Sequence, residues 1–251
     1  MIAFTFDGTK DGLLTCVFDC YYNKKVPQVV TSSPLQTGFG DEIIGVETDF
    51  NKAERVQNCI NSLKTANIAY DIDFALKSGE ELKFTAIFNY IKKAIDNKDE
   101  DVSKNFADAD VLNFRDIISR ITFEAHRQKG FLRFVEAKDG FYYAKYEPDN
   151  DITELLMPHF KNRFKFPFII HDVKRNILGL SDGKKYKVIK WNSSVDIYLS
   201  EGEENFEKLW KTYYKSVNIE ERKNLDAMTR FLPKRYRKYM PETVKDLGDF
   251  N

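Results

Sequence analysis

The stretch FLRFVEAKDGFYYAKYEPDNDITELLMPHFKNRFKFPFIIHDVKRNILGLSDGKKYKVIKW, residues 131–191, decides the fold. Phe131 to Ala137 and Phe141 to Glu147 read as two strands around Asp139-Gly140, the dipeptide that two-residue hairpin turns favour because it tolerates positive φ. Asp151 and Glu154 form a capping pair in front of a helix carrying Leu155, Leu156 and Phe160. Phe168 to Val173, Ile177 to Ser181 and Lys185 to Trp191 then read as a three-strand meander with Asp182-Gly183 as its second turn. The stretch is therefore expected to fold as ββαβββ, in one antiparallel sheet with a helix on one face.

Upstream the pattern is mainly helical. Ile2 to Phe6 reads as a short strand closed by Asp7-Gly8. Leu13, Leu14, Val17, Phe18 and Tyr21 follow helical spacing, which predicts a helix from Asp11 to Asn23. Pro27 and Pro34 mark an irregular crossing. Thr48 is the expected cap of a helix with Ala53, Val56, Ile60 and Leu63 on its apolar face. Another helix carries Leu82, Ile87, Phe88, Ile91 and Ile95. Asp96 to Asp110 is charged and poor in apolar residues, so it is the candidate hinge or, equally, a solvated helix end. Val111, Phe114, Ile118, Ile121 and Ala125 define a long helix that Gly130 is expected to stop. Downstream, Phe206, Leu209, Trp210, Tyr213, Tyr214 and Val217 form an apolar helical stripe. Pro233 suits the first turn of a closing helix that reaches Tyr239. The expected class is α+β: a mainly helical region 1–100, a central region 101–200 with the antiparallel sheet, and a basic helical region 201–251, all compatible with one compact domain.

Of the 251 residues 42% are hydrophobic, enough for a substantial core. No run of about 18 apolar residues occurs, and the first residues do not read as a secretory signal. Cys16, Cys20 and Cys59 are an odd number without a scaffold pattern, so reduced, packed thiols in a cytoplasmic protein are expected. The formal net charge is zero, yet ten basic residues lie between Lys208 and Tyr239 against Glu220, Glu221 and Asp226. That surplus of seven must be balanced by an acidic remainder, so the molecule is electrically polar.

Several motifs resemble a known family. His126-Arg127-Gln128-Lys129-Gly130-Phe131-Leu132-Arg133-Phe134 is followed by Tyr146-Glu147-Pro148-Asp149, Pro158-His159-Phe160 with Arg163-Phe164, and Ile170-His171-Asp172. Glu221-Arg222-Lys223-Asn224 and Pro233-Lys234-Arg235-Tyr236 with Pro241-Glu242 complete the series. Their order and spacing resemble a bacterial family of DNA metabolism or DNA repair proteins, typically encoded beside a radical-SAM protein. A similar domain occurs fused to uracil-DNA-glycosylase-like domains. The resemblance runs from Phe6-Asp7-Gly8 to Glu242. It departs at Arg237, where the family usually has tryptophan. What it implies is a context, with DNA and a radical-SAM protein as partners; it supplies no mechanism.

The residues themselves offer two chemistries. Lysine and arginine neutralise phosphates, and interleaved tyrosines can stack on unpaired bases. Arg222, Lys223, Arg230, Lys234, Arg235, Tyr236, Arg237 and Lys238 are the candidate nucleic-acid contacts. The alternative is an amphipathic helix with packed tyrosines and solvated cations. The second chemistry is acid–base. His126, His159 and His171, with Glu124 and Asp172, could transfer protons if they converged. Adjacent strand residues point to opposite faces, so His171 and Asp172 are not expected to form a dyad, and satisfied core or cap histidines are the favoured reading. No metal-ligand spacing, dinucleotide fingerprint, phosphate loop or radical-SAM cysteine cluster is present, so no cofactor is expected. Whether the chain is an enzyme is open. The leading expectation is a DNA-associated accessory protein working with a radical-SAM partner. The rivals are a nucleic-acid-processing enzyme and a protein-binding module without DNA contact.

Overall fold

A computed structural model of the chain describes residues 1–35, 38, 40–137, 140–192, 232 and 234–240. Its contacts divide the chain into two units, 1–122 and 123–251. The class is α+β, with one three-stranded sheet and one five-stranded sheet. No helix among the described residues is long and apolar enough to cross a membrane.

The first unit is built on a parallel sheet that the sequence reading missed. Strand β1 (Ile2–Thr5) lies between β2 (Val29–Thr31) and β3 (Glu42–Gly45), parallel to both. Helix α1 (Lys10–Asn23) connects β1 to β2. Its start is set by Thr9, whose hydroxyl accepts the Gly12 N–H at 3.0 Å, while Asp7 accepts the Thr9 N–H and hydroxyl. Leu13, Leu14, Cys16, Val17 and Cys20 are its buried face. Helix α2 (Phe50–Ser62) is capped by Asp49, which accepts from the N–H groups of Asn51 and Lys52. Thr48, the expected cap, donates instead to Asp7 Oδ2 at 2.8 Å.

Helix α3 (Ile68–Ala75) was not anticipated; α4 (Lys83–Asp96) was, and it buries Phe84, Ile87, Phe88, Tyr90, Ile91 and Ala94. The Tyr90 ring stacks on Phe114 at 3.9 Å between centroids. The charged stretch 96–110 lies within this unit. There Asp101 caps a 3-10 turn at Val102–Lys104, and Asp108 accepts the N–H groups of Asp110 and Val111 at the start of α5 (Ala109–Phe131). Gly130 falls inside that helix, which ends one residue later.

In the second unit, β4 (Val135–Glu136), β5 (Tyr142–Tyr146), β6 (Phe168–Asp172), β7 (Ile177–Ser181) and β8 (Tyr186–Lys190) form one sheet in sequence order. The order ββαβββ holds, but the sheet is mixed. Three strand pairs are antiparallel, whereas β5 and β6 are parallel, with Tyr142 opposite Phe168 and Tyr146 opposite Asp172. The cause is the connection. Helix α6 (Thr153–Arg163) carries the chain from the end of β5 back to the start of β6, and a crossover of that length returns a strand in the same direction. The expected capping pair at its start is also absent, since Ile152 is the cap residue and makes no side-chain cap bond.

Helix α6 covers one face of this sheet. A Cβ on Gly179 would overlap Met157 Sδ and meet Thr153 Cγ2 at 3.1 Å, so a larger residue would force the Met157 side chain to shift. Phe134 meets Phe160, Phe164 and Phe168 at 5.0, 4.9 and 5.8 Å between centroids, closing the aromatic core. Of the expected C-terminal helices, the part within the described residues is one short helix, α7 (Lys234–Arg237). The apolar stripe at 206–217 lies outside them.

Candidate functional site

Residues from two of the quoted motifs, Asp149 and Tyr236, meet at Glu124. This side chain, on the second-unit part of α5, is 5% exposed. Its carboxylate accepts the N–H groups of Asp149 and Asn150 at 2.8 Å each, the Asn150 Nδ2 at 2.7 Å and the Tyr236 hydroxyl at 2.7 Å. Four donors saturate the useful lone pairs of both oxygens.

Asp172 holds the other side of the same loop. It accepts the Lys174 and Arg175 N–H groups at 3.0 and 3.1 Å and the Arg175 Nη1 at 3.0 Å. The guanidinium also donates to the carbonyls of Pro148 and Asp149. The loop 148–150 is thus gripped by Glu124 through the N–H groups of Asp149 and Asn150 and by Arg175 through the carbonyls of Pro148 and Asp149. Burial pushes the Asp172 carboxyl up, against the pull of Arg175 and its backbone donors. Nearby, Tyr146 shares a hydrogen bond of 2.9 Å with Thr153, and burial raises the phenol well above its ordinary value. Neither Arg175 nor Asn150 was singled out from the sequence, although Asp172 and Arg175 have the spacing that lets an acid at the end of a strand bind the turn that follows.

The histidines separate. His126 and His159 are exposed, while His171 is 9% exposed. His171 and Asp172 lie on opposite faces of β6, as alternation requires. On the face turned away from α6, His171 Nδ1 lies 2.7 Å from the Tyr143 hydroxyl. Its Nε2 is buried without a hydrogen-bond partner. Burial, with Lys145 second, lowers its pKa, and burial pushes the Tyr143 phenol up to about 12. His159 stacks edge-on against Phe160, and its pKa is lowered by partial burial and by Lys129 and Arg163. Among the described residues no hydrogen bond or ring contact joins any two histidines, and no three metal-ligating side chains group together.

The candidate nucleic-acid residues divide as well. Arg222, Lys223 and Arg230 lie outside the described residues, and for Lys234 and Arg235 only the backbone of α7 is described. Tyr236 is 6% exposed, so its ring is not available to stack on a base. Its bond to Glu124 and its contact with Phe131, 5.9 Å between centroids, explain why it is inside. Arg237 Nε donates to the Leu232 carbonyl at 3.0 Å. Lys238 and the Tyr239 hydroxyl reach Glu147 at 2.6 and 2.5 Å, which holds the Glu147 carboxyl below its usual range. The Lys238 side chain is still 59% exposed.

A cavity beside this cluster, lined by Gln128, Tyr146, Glu147, Tyr236 and Tyr239, encloses about 10 Å³, room for no more than a water molecule. The arrangement therefore has the chemistry of a latch: a Glu124 carboxylate saturated by four internal donors, with the buried Tyr236 hydroxyl among them. No curated protein and no solved structure matches the chain. The model of a domain of unknown function, DUF4130, matches residues 81–242, from the start of α4 through the Tyr236 helix and past it. That span is more than half of the 251 residues, and the chain belongs to the DUF4130 family.

Proposed function

We propose that this protein is a nucleic-acid-binding accessory factor of DNA metabolism or repair, acting in the cytoplasm beside a radical-SAM partner. The observation that carries this reading is the surplus of seven positive charges between Lys208 and Tyr239 in a chain of zero net charge. The family resemblance of the motifs adds the DNA context and the partner. Free thiols at Cys16, Cys20 and Cys59 agree with a reducing compartment.

The latch supports an accessory role over a catalytic one. A general base needs a lone pair facing a substrate, and Glu124 spends its lone pairs on four internal donors. What the latch does is seat the end of the basic segment: Tyr236 and Tyr239 fasten it to Glu124 and Glu147, and Lys238 stays exposed. The reading is tested by replacing Lys234, Arg235, Arg237 and Lys238 together with alanine. Binding to duplexes of unrelated sequence should weaken alike, with a flatter dependence on salt. Undiminished binding with an unchanged salt slope would show that these four cations are not the DNA contact, and no DNA binding by the wild type would count for a protein-binding module.

A further inference from the structure

The β7–β8 hairpin carries a feature that the latch does not use. Lys184, Lys185, Lys187 and Lys190 are all exposed, and the carboxylate that acts on one of them, Asp182 beside Lys184, is bound to the turn. Tyr186 and Trp191 lie among them, 40% and 39% exposed. Beside the hairpin is an open depression of about 630 Å³, lined among others by Phe141, Ile169, Leu180, Lys185, Tyr186 and Lys187. Its floor is apolar and its rim is cationic.

The hairpin is held in shape before any ligand arrives. Asp182 accepts the N–H groups of Lys184 and Lys185 at 2.7 Å each, so the one acid here caps the turn. Ser181 accepts the Gly183 N–H and donates to the Lys185 carbonyl, both at 3.1 Å. Gly183 has φ +86, and a Cβ there would come within 2.8 Å of the Lys165 backbone.

We propose that this hairpin and depression bind single-stranded nucleic acid around the β8 end of the sheet, with a base against Tyr186 and phosphates reaching Lys185 and Lys187 across that edge. The inference rests on the reading of the protein as a nucleic-acid binder but assigns a second site, separate in sequence from the basic C-terminal segment. Exposed rings beside an apolar floor favour a base over an acidic peptide, which needs the lysines alone. Stacking of this kind requires an unpaired base, so a duplex gains nothing from it.

The test uses the full-length chain and a short fluorescein-labelled oligothymidylate, with a duplex of equal length for comparison, read by anisotropy. Tyr186→Ala should weaken single-strand binding about 5-fold or more and leave the duplex unaffected. Lys185→Gln with Lys187→Gln should reduce the single-strand salt slope by about 1.4. Circular dichroism and thermal unfolding check that both variants fold; the exposed positions make this the expected result. If the wild type binds and both variants match it on single strands, the hairpin site is wrong while the C-terminal reading survives. If the hairpin variants fail and the C-terminal alanine variant binds normally, the hairpin is the site and the C-terminal reading falls. If the wild type binds neither DNA form, both fall. Displacement of the oligonucleotide by a polyglutamate peptide, equally in wild type and Tyr186→Ala, would overturn the choice of ligand.

Discussion

The Tyr236 hydroxyl donates to the Glu124 carboxylate at 2.7 Å, across 112 positions of sequence. This bond ties the Pro-Lys-Arg-Tyr motif to the helix that carries the His-Arg-Gln-Lys motif, and it accounts for both residues being inside. Hydrogen bonds to buried charges contribute about 1.5–3 kcal/mol. Tyr236→Phe should therefore cost stability in about that range. Glu124→Ala should cost more, about 3 kcal/mol or above, because it strands two backbone N–H groups and the Asn150 amide as well. Urea unfolding of the two variants measures the order. Equal stability of Glu124→Ala and wild type would show that the latch is not formed.

Burial of Tyr236 also fixes what its loss does to binding. Tyr236→Ala should weaken single-stranded and duplex DNA by the same factor, through unseating the basic segment. Competition between the two DNA forms on the variant measures the ratio. A selective loss on single strands would mean that the ring leaves its pocket to stack.

The sequence made the second unit legible because its signals are local. Ile177–Ser181 was read with its observed bounds, and two Asp-Gly pairs marked the hairpins. What alternation cannot report is strand direction, so the parallel pairing of β5 with β6 had to come from the path of α6. In the first unit, β2 has three residues between two prolines, and β3 is mostly exposed, so neither shows a period. Helix α3 begins after Asn67 in the left-handed conformation without a side-chain cap, which removes its start signal. The site was half legible. Glu124 and Asp172 stood out as carboxylates, but their donors are mostly backbone N–H groups, which any residue type supplies. That is why a latch and a pair of catalytic acids look alike in sequence.

His171 gives a pH dependence with a definite sign. Its pKa is lowered in the folded state, by burial first and by Lys145 second, from the ordinary value of 6.5. The unfolded chain then binds the proton more readily, so stability rises with pH. The loss begins as pH falls through about 6.5 and is complete below the folded pKa. His159 shifts in the same direction, so the comparison must be with a variant. Wild type should lose more stability than His171→Gln between neutral and mildly acidic pH, measured as denaturant midpoints. Parallel curves would contradict the burial of that ring.

Gly183→Ala should destabilise the second unit by about 1–3 kcal/mol. The position combines a left-handed φ of +86 with the Lys165 backbone 2.8 Å from where a Cβ would stand. Backbone cannot rotate aside as a side chain does. Thermal unfolding reads the change, and an unchanged midpoint would mean that the turn has another conformation.

The central claim is that the protein holds nucleic acid through phosphate contacts of its basic C-terminal segment, and the salt dependence of DNA affinity tests it most directly. Ten cations lie between Lys208 and Tyr239, and only some of them need reach any one duplex. If about four to six reach phosphates, log affinity should fall against log salt with a slope of about −4 to −5. Replacing Lys234, Arg235, Arg237 and Lys238 with alanine should flatten that slope. A wild-type slope near zero, or a steep slope that the fourfold variant leaves unchanged, would contradict the account.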